Sequence, residues 1–152
     1  MPTTIHGVDE LERMVGAHLG YSDYLVIDQE RIDRFADATG DHQWIHVDSV
    51  RAAEGPFGTT IAHGYLTLSL VPMLLSQVLH VEGVAHGVNY GCNRVRFPSP
   101  VPVGAEVRAG ASLESVEAVP GGVQVVLDVT VEVRGAAKPA CAAQVVFRYY
   151  RA

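Results

Sequence analysis

The hydrophobic rhythm of the chain changes near residue 83. Before that point apolar positions recur at helical spacing, and after it they alternate with polar ones. Val8, Leu11, Val15 and Leu19 form one stripe and predict a short amphipathic helix over 8–19. Tyr24 to Ile27 reads as a short strand. Asp28 has the side chain of an N-cap for a helix over 29–39, with Ile32, Phe35 and Ala36 on its apolar face. Gly40 is placed to end that helix in the left-handed conformation. Asp48 is suited to cap one further turn, which Gly55-Pro56 would end.

Residues 64–81 follow a different pattern. Tyr65, Leu66, Leu68, Leu70, Val71, Met73, Leu74, Leu75, Val78 and Leu79 leave few polar positions on any side. A helix apolar all round in a water-soluble domain is a buried one. Pro72 lies inside the run and is expected to kink it. Beyond it, Val123, Val125, Leu127, Val129, Val131 and Val133 alternate with polar residues, Val126 excepted, as in a half-buried antiparallel strand. Gly121-Gly122 reads as the hairpin turn before it, joining it to a strand over 106–117. Further strands are expected at 140–150 and at 90–97, the latter ended by Pro98, Pro100 and Pro102. One apolar helix and about five antiparallel strands predict an α+β domain in which the sheet wraps the helix.

At 152 residues the chain fits one domain, 1–152. Its 48% hydrophobic and 18% charged composition is too apolar for intrinsic disorder. The net charge of −6 is uneven: residues 1–76 hold 11 acids and 4 bases, and residues 77–152 hold 6 acids and 7 bases. All seven histidines lie at or before His86, and Lys138 is the only lysine. That distribution argues against a nucleic-acid footprint. Cys92 and Cys141 form neither a CxxC pair nor a disulfide framework and are expected to be buried and reduced. The first dozen residues lack a signal-peptide pattern, and the apolar run at 65–81 is too short and too interrupted for a membrane span. A cytoplasmic protein with no membrane partner is the expectation.

Two stretches carry the chemistry. In the first, Asp41 and His46 stand five residues apart in a turn just after the helix stop. A carboxylate and an imidazole there can converge on one water, and imidazole can accept and return a proton near neutral pH. Capping and loop solvation would account for the same residues. In the second, Gly58-Thr-Thr-Ile-Ala-His63-Gly64 leads into the apolar helix. The first amides of a helix have no internal acceptor, and Gly64 would let a ligand oxygen come close to one. A glycine kept only for tight packing would look the same.

Thr39-Gly-Asp41-His-Gln-Trp-Ile-His46, then five residues and Ala52, resembles the hydratase-2 motif of the MaoC-like dehydratases. Those proteins include the R-specific enoyl-CoA hydratases. Ile61-Ala-His63-Gly64 is similar to the family's second motif, and Arg94-Val-Arg-Phe97-Pro-Ser-Pro-Val101 to its next strand and exit. The likeness runs from about residue 20 to 150. It departs where the family's Asn-Pro is replaced by Gln43-Trp44, as in single-domain (3R)-hydroxyacyl-thioester dehydratases.

The resemblance implies a hotdog fold, a homodimer and reversible hydration of trans-2-enoyl thioesters to (3R)-3-hydroxyacyl thioesters in fatty acid metabolism. It implies no cofactor and no metal. Asp41 would orient the water, His46 would exchange the proton at C2, and the Gly64 N–H would bind the thioester oxygen. The substrate would be carried by coenzyme A or an acyl carrier protein. Gln43, Trp44, His63 and Ser69 are candidate substrate contacts. Gln43 could replace the family's asparagine, Trp44 could equally pack the loop, and His63 could instead tie the helix start to the Asp41 loop. Ser69 and Thr67 could bond the preceding turn.

The histidines at 42, 46 and 63 lack the spacing of a zinc site, and His42 is expected to face solvent. His80 is expected at the negative end of the apolar helix. Arg94, Arg96, Arg148 and Arg151 are candidates for the carrier's phosphates. A hotdog thioesterase and a non-catalytic acyl-binding subunit are the competing functions.

Overall fold

The computed structural model describes residues 2–152. Its frame is an antiparallel sheet built from β2 (His18–Tyr21), β5 (Val84–Arg96), β6 (Glu106–Val119), β7 (Gly122–Val133) and β8 (Cys141–Arg151), in the order β2-β6-β7-β8-β5. The short β3 (Leu25–Val26) also pairs with β6. Alternation decides which side faces the core. Val107, Ala109, Ala111 and Leu113 of β6 oppose Val133, Val131, Val129 and Leu127 of β7. Cys141, Ala143 and Val145 of β8 continue those rows. Gly121 turns the β6–β7 hairpin at φ +80°, and a Cβ on Gly122 would fall 2.0 Å from the Tyr149 carbonyl oxygen. Both glycines are therefore required by the backbone.

Against the inner face lie α5 (Gly64–Ser69) and α6 (Val71–Leu75). Leu66, Leu70, Val71, Leu74, Leu75 and Val78 share one core with the strands. This is the sheet-around-helix arrangement that the hotdog expectation describes, with corrections. The single helix over 64–81 is two short helices. Pro72 has no N–H to continue the ladder, so the break falls at Leu70 and Pro72 sits in the first turn of α6, where no donor is needed. Leu74 N–H still donates to the Leu70 carbonyl at 3.0 Å, which carries the helical direction across the break. Nor is the pair buried all round: Tyr65, Ser69, Pro72, Met73 and Ser76 form an exposed stripe.

After α6 the chain extends as β4 (Leu79–Glu82), parallel to β1 (Thr3–His6). His80 thus lies exposed on a strand rather than at a helix end. The helix expected over 8–19 is likewise shorter. It comprises α1 (Val8–Leu11) and one 3-10 turn, Glu12–Met14. Gly16, at φ +87°, then turns the chain so that its N–H donates to the Leu113 carbonyl at 2.8 Å, and β2 joins the sheet. Three expectations hold closely. The helix α2 (Gln29–Thr39) has Asp28 accepting from the Arg31 N–H and Gly40 left-handed at its end. Asp48 caps α4 (Ser49–Ala53) through the Arg51 N–H.

Cys141 is buried, and burial pushes its thiol up to about 11. Cys92, expected to be buried, is exposed on β5. The reason is its strand: among the described residues β5 pairs only with β8, and it is exposed over most of its length. Among the described residues no helix is long and apolar enough to cross a membrane.

Candidate active site

The left-handed Gly40 turns the chain out of α2 into a short loop bearing Asp41, and α3 (Trp44–Val47) follows with His46. The segment 60–62 runs antiparallel beside 101–103: Ala62 N–H donates to Val101 O at 2.8 Å, and Val103 N–H to Thr60 O at 2.9 Å. That clamp presents the Ile61 carbonyl to His46, whose Nδ1 lies 2.7 Å from it. Nδ1 must carry the proton to make this bond, which leaves the lone pair on Nε2. His46 is 7% exposed. Burial pushes its imidazole below the ordinary range, and the adjacent His63 adds to that. The Ile61 carbonyl and the Asp41 carboxylate act in the opposite sense.

Asp41, His46 and His63 each bring one polar side-chain atom to within 4.8 Å of the others. The His46 and His63 rings stack, with centroids 3.9 Å apart and planes 22° apart. In-plane lone pairs of stacked rings run side by side instead of converging on one cation. His63 Nε2 lies 3.0 Å from the Asp41 backbone carbonyl, as the alternative reading of His63 expected. His42 does not join the group: it is exposed and its Nε2 bonds Asp37 at 2.9 Å.

Gly64 opens α5, and its N–H has no acceptor among the described residues. The Phe97 ring fills the space where a Cβ would stand, 2.9 Å from it at Cδ2 and 3.0 Å at Cγ. Gly64 therefore meets a packing need and keeps a free amide at once. His46, Gly64, Thr67, Phe57, Ala62 and Phe97 line one cavity of about 240 Å³ with largely apolar walls.

The other candidate contacts stand apart. The Gln43 side chain is exposed, and the residue joins through its backbone: its N–H lies 3.3 Å from Asp41 Oδ1 and its carbonyl accepts from the His46 N–H at 3.0 Å. Trp44 packs the loop, with its ring against Gly55 and the Arg51 guanidinium 4.3 Å from its centroid. Ser69 is exposed and its hydroxyl donates to the Tyr65 carbonyl at 2.6 Å. Of the four arginines, Arg148 bonds Gln124 and lies over Tyr90, and Arg151 pairs with Asp9. Arg94 and Arg96 line a cleft with Asp128 and Gln144.

Two supporting residues escape sequence reasoning. Gln29 Nε2 donates to the His46 carbonyl at 2.8 Å, and the buried Thr60 hydroxyl donates to Gln29 Oε1 at 2.5 Å. They fasten α3 to α2 across separations of 17 and 31 residues, which no local spacing reveals. The assembled group offers an imidazole nitrogen and a free amide N–H on the wall of one apolar cavity, with the exposed Asp41 carboxylate close to the imidazole. Such a set can move a proton and hold a developing oxyanion.

Comparison with known proteins identifies the family and the fold. Residues 10–134 match the family described as MaoC like domain. The chain is 56% identical over 147 residues to 3-hydroxyacyl-thioester dehydratase Z of Mycobacterium tuberculosis, covering 96% of this chain and 97% of that protein. It is 46% identical over 132 residues to Nodulation protein N of Rhizobium leguminosarum, covering 85% and 82%. The (R)-hydratase from A. caviae involved in PHA biosynthesis superposes with a TM-score of 0.72 at 26% identity, over 88% of this chain and 94% of that one. The chain belongs to the MaoC-like family.

Proposed function

We propose that this protein is a hydro-lyase that converts trans-2-enoyl thioesters to (3R)-3-hydroxyacyl thioesters and catalyses the reverse dehydration. The observation that carries the reading is the position of His46, which lies close to Asp41 on one side and shares a cavity with Gly64, at the start of α5, on the other. The 56% identity to a 3-hydroxyacyl-thioester dehydratase supports it. In hydration, the oxygen of a water held by Asp41 bonds to C3 of the enoyl group. His46 Nε2, free because Nδ1 is committed to Ile61, takes a proton from that water and delivers one to C2. The Gly64 N–H meets the negative charge that builds on the thioester oxygen. Water is added across the double bond, the imidazole ends as it began, and no redox partner is needed.

The substrate is an acyl-CoA or acyl-carrier-protein thioester, and the whole chain acts as one domain in the cytoplasm. It works as a homodimer. Two features support that assembly: the free edge of β5, with Val88 and Tyr90 exposed, and the exposed stripe on α5 and α6. An unpaired edge of 13 residues is the kind of strand that soluble proteins cover.

The test is direct. Purified protein is mixed with crotonyl-CoA, and loss of enoyl-thioester absorbance is followed with a thiol reagent in parallel. Hydration without thiol release is expected, and Asp41→Asn or His46→Gln should each lower kcat by about 100-fold or more. Thiol release with the double bond intact would make the protein a thioesterase instead. Saturable binding without turnover would make it an acyl-binding subunit. Full activity in both variants would remove the site assignment. Sedimentation at micromolar concentration reads the assembly, and a monomer would refute the dimer.

A further inference from the structure

Short-range hydrogen bonds hold the Asp41 loop, among them His46 N–H to the Gln43 carbonyl at 3.0 Å. Gly40 N–H donates to Ala36 O, Asp41 N–H approaches Thr39 Oγ1 at 3.4 Å, and Gln43 N–H approaches Asp41 Oδ1. His42 bonds Asp37, five residues away. The one hydrogen bond that reaches residues 40–43 from a distant part of the described chain comes from His63, 22 residues on from Asp41. Because a backbone carbonyl only accepts, His63 Nε2 carries the proton of that bond.

His63 is 2% exposed. One face of its ring stacks on His46, and Phe35 lies against it at 4.9 Å between centroids. Its other nitrogen, Nδ1, is buried with no hydrogen-bond partner among the described residues. A buried, unpartnered nitrogen costs stability, and a phenylalanine would fill a similar volume without that cost. The residue next in the chain is Gly64. One side chain thus bonds the segment bearing the carboxylate, supports the imidazole and adjoins the free amide.

We propose that His63 is a positioning residue, whose hydrogen bond to the Asp41 carbonyl and stack on His46 hold the carboxylate, imidazole and Gly64 amide in register, at a cost to stability. This rests on the hydration chemistry proposed above. It assigns His63 no contact with substrate. The titratable groups facing the His46 ring are Asp41 from the loop and His63 from the start of α5. Gln29, which bonds the His46 carbonyl, and Thr67, which lines the cavity beside it, bring no charge.

Two variants separate the bond from the ring. His63→Gln keeps an N–H donor near the Nε2 position and loses the stacked ring. His63→Phe keeps the stacked ring and the volume and loses the donor. A group displaced by about 1 Å can cost up to 100-fold in rate. His63→Phe is expected to melt no lower than the parent protein, to lose tenfold or more in kcat and to keep KM within about threefold. His63→Gln is expected to recover at least half of that loss on a logarithmic scale. Backbone 15N relaxation supplies a readout independent of turnover: the amides of residues 40–43 should become more mobile in the Phe variant and stay close to the parent in the Gln variant.

A Phe variant with kcat within twofold of the parent would overturn the proposal. So would a Gln variant as impaired as the Phe variant, or residues 40–43 equally rigid in all three proteins. Should the parent protein hydrate no enoyl thioester, the function reading fails, and the relaxation measurement still decides whether His63 holds the loop.

Discussion

Gly64 offers the sharpest test of the packing around the amide. In Gly64→Ala the new methyl would stand 2.9 Å from Phe97 Cδ2, 3.0 Å from Cγ and 3.1 Å from Cε2, whereas ordinary contact begins at 3.4 Å. Rotating the ring about χ2 does not help, because Cγ lies on that axis. Either Phe97 swings out as a whole or the start of α5 moves by roughly half an ångström, a shift the contact distances set. Overpacking of this kind costs about 1–3 kcal/mol, and the gain in helix propensity from glycine to alanine returns about 0.5–1 kcal/mol. The net cost is therefore about 0–2.5 kcal/mol, and melting should fall by no more than about 10 °C.

The effect on turnover is larger. An oxyanion donor out of place forfeits part of the roughly 2.7–4 kcal/mol such donors contribute, so kcat should fall by about 10- to 100-fold. Phe97→Ala removes the obstruction. Alone it should change kcat by less than about fivefold, and in Gly64→Ala/Phe97→Ala at least about tenfold of the lost rate should return, the non-additivity expected of residues in contact. The assay is crotonyl-CoA hydration at saturating substrate. Gly64→Ala within twofold of the parent, or a double variant no faster than Gly64→Ala, would refute the reasoning.

Three further outcomes follow from other contacts. Thr60→Val strands the Gln29 amide oxygen that braces α3, and urea unfolding should show a loss of about 1–3 kcal/mol. Leu74 is fully buried between α6 and the sheet, so Leu74→Ala should lose about 2–5 kcal/mol in the same measurement. The folded His46 binds a proton less readily than the unfolded chain does, because burial lowers its value from the ordinary 6.5. Its share of stability is complete above that value and is lost as pH falls through it toward the folded one. Between pH 7.5 and pH 5.5, His46→Gln should therefore lose less stability than the parent protein; an equal loss would contradict this sign. His6 and His42 are raised by Glu82 and Asp37, but both remain in either protein and cancel in the comparison.

The sequence and the structure agree where local chemistry decides the outcome. Asp28 and Gly40 bound α2 because a cap and a left-handed stop act within one turn of the chain. The β6–β7 hairpin is legible from Gly121-Gly122 and the alternation after it, which Val126 alone interrupts. Disagreement comes where a distant partner decides. Leu19 fits a helical stripe, yet it is buried on a strand because β6 is there to pair with. Leu79 and Val81 look like the end of an apolar helix and instead pair with Thr3 and Ile5. Of the candidate site, Asp41, His46, His63 and Gly64 were readable from their two motifs. Gln29, Thr60 and Phe97 were not, because each matters only through a neighbour far along the chain.

The sheet order also fixes which half of the chain can complete its structure first. The strands β6, β7 and β8 close on one another through short connections, from Val119 to Gly122 and from Val131 to Cys141. The helical half closes through pairs such as Tyr21 with Gly110 and Thr3 with Leu79. Contacts so far apart form late, because loop closure must precede them. During synthesis the segment with Asp41, His46 and Gly64 leaves the ribosome before the strands that cover it. Leu66, Leu70, Val71 and Leu74 then have no sheet to pack on until the second half of the chain follows. An emerging chain of this topology presents an apolar segment for the whole of that interval, and this is where a holding chaperone would bind and where truncated products would aggregate.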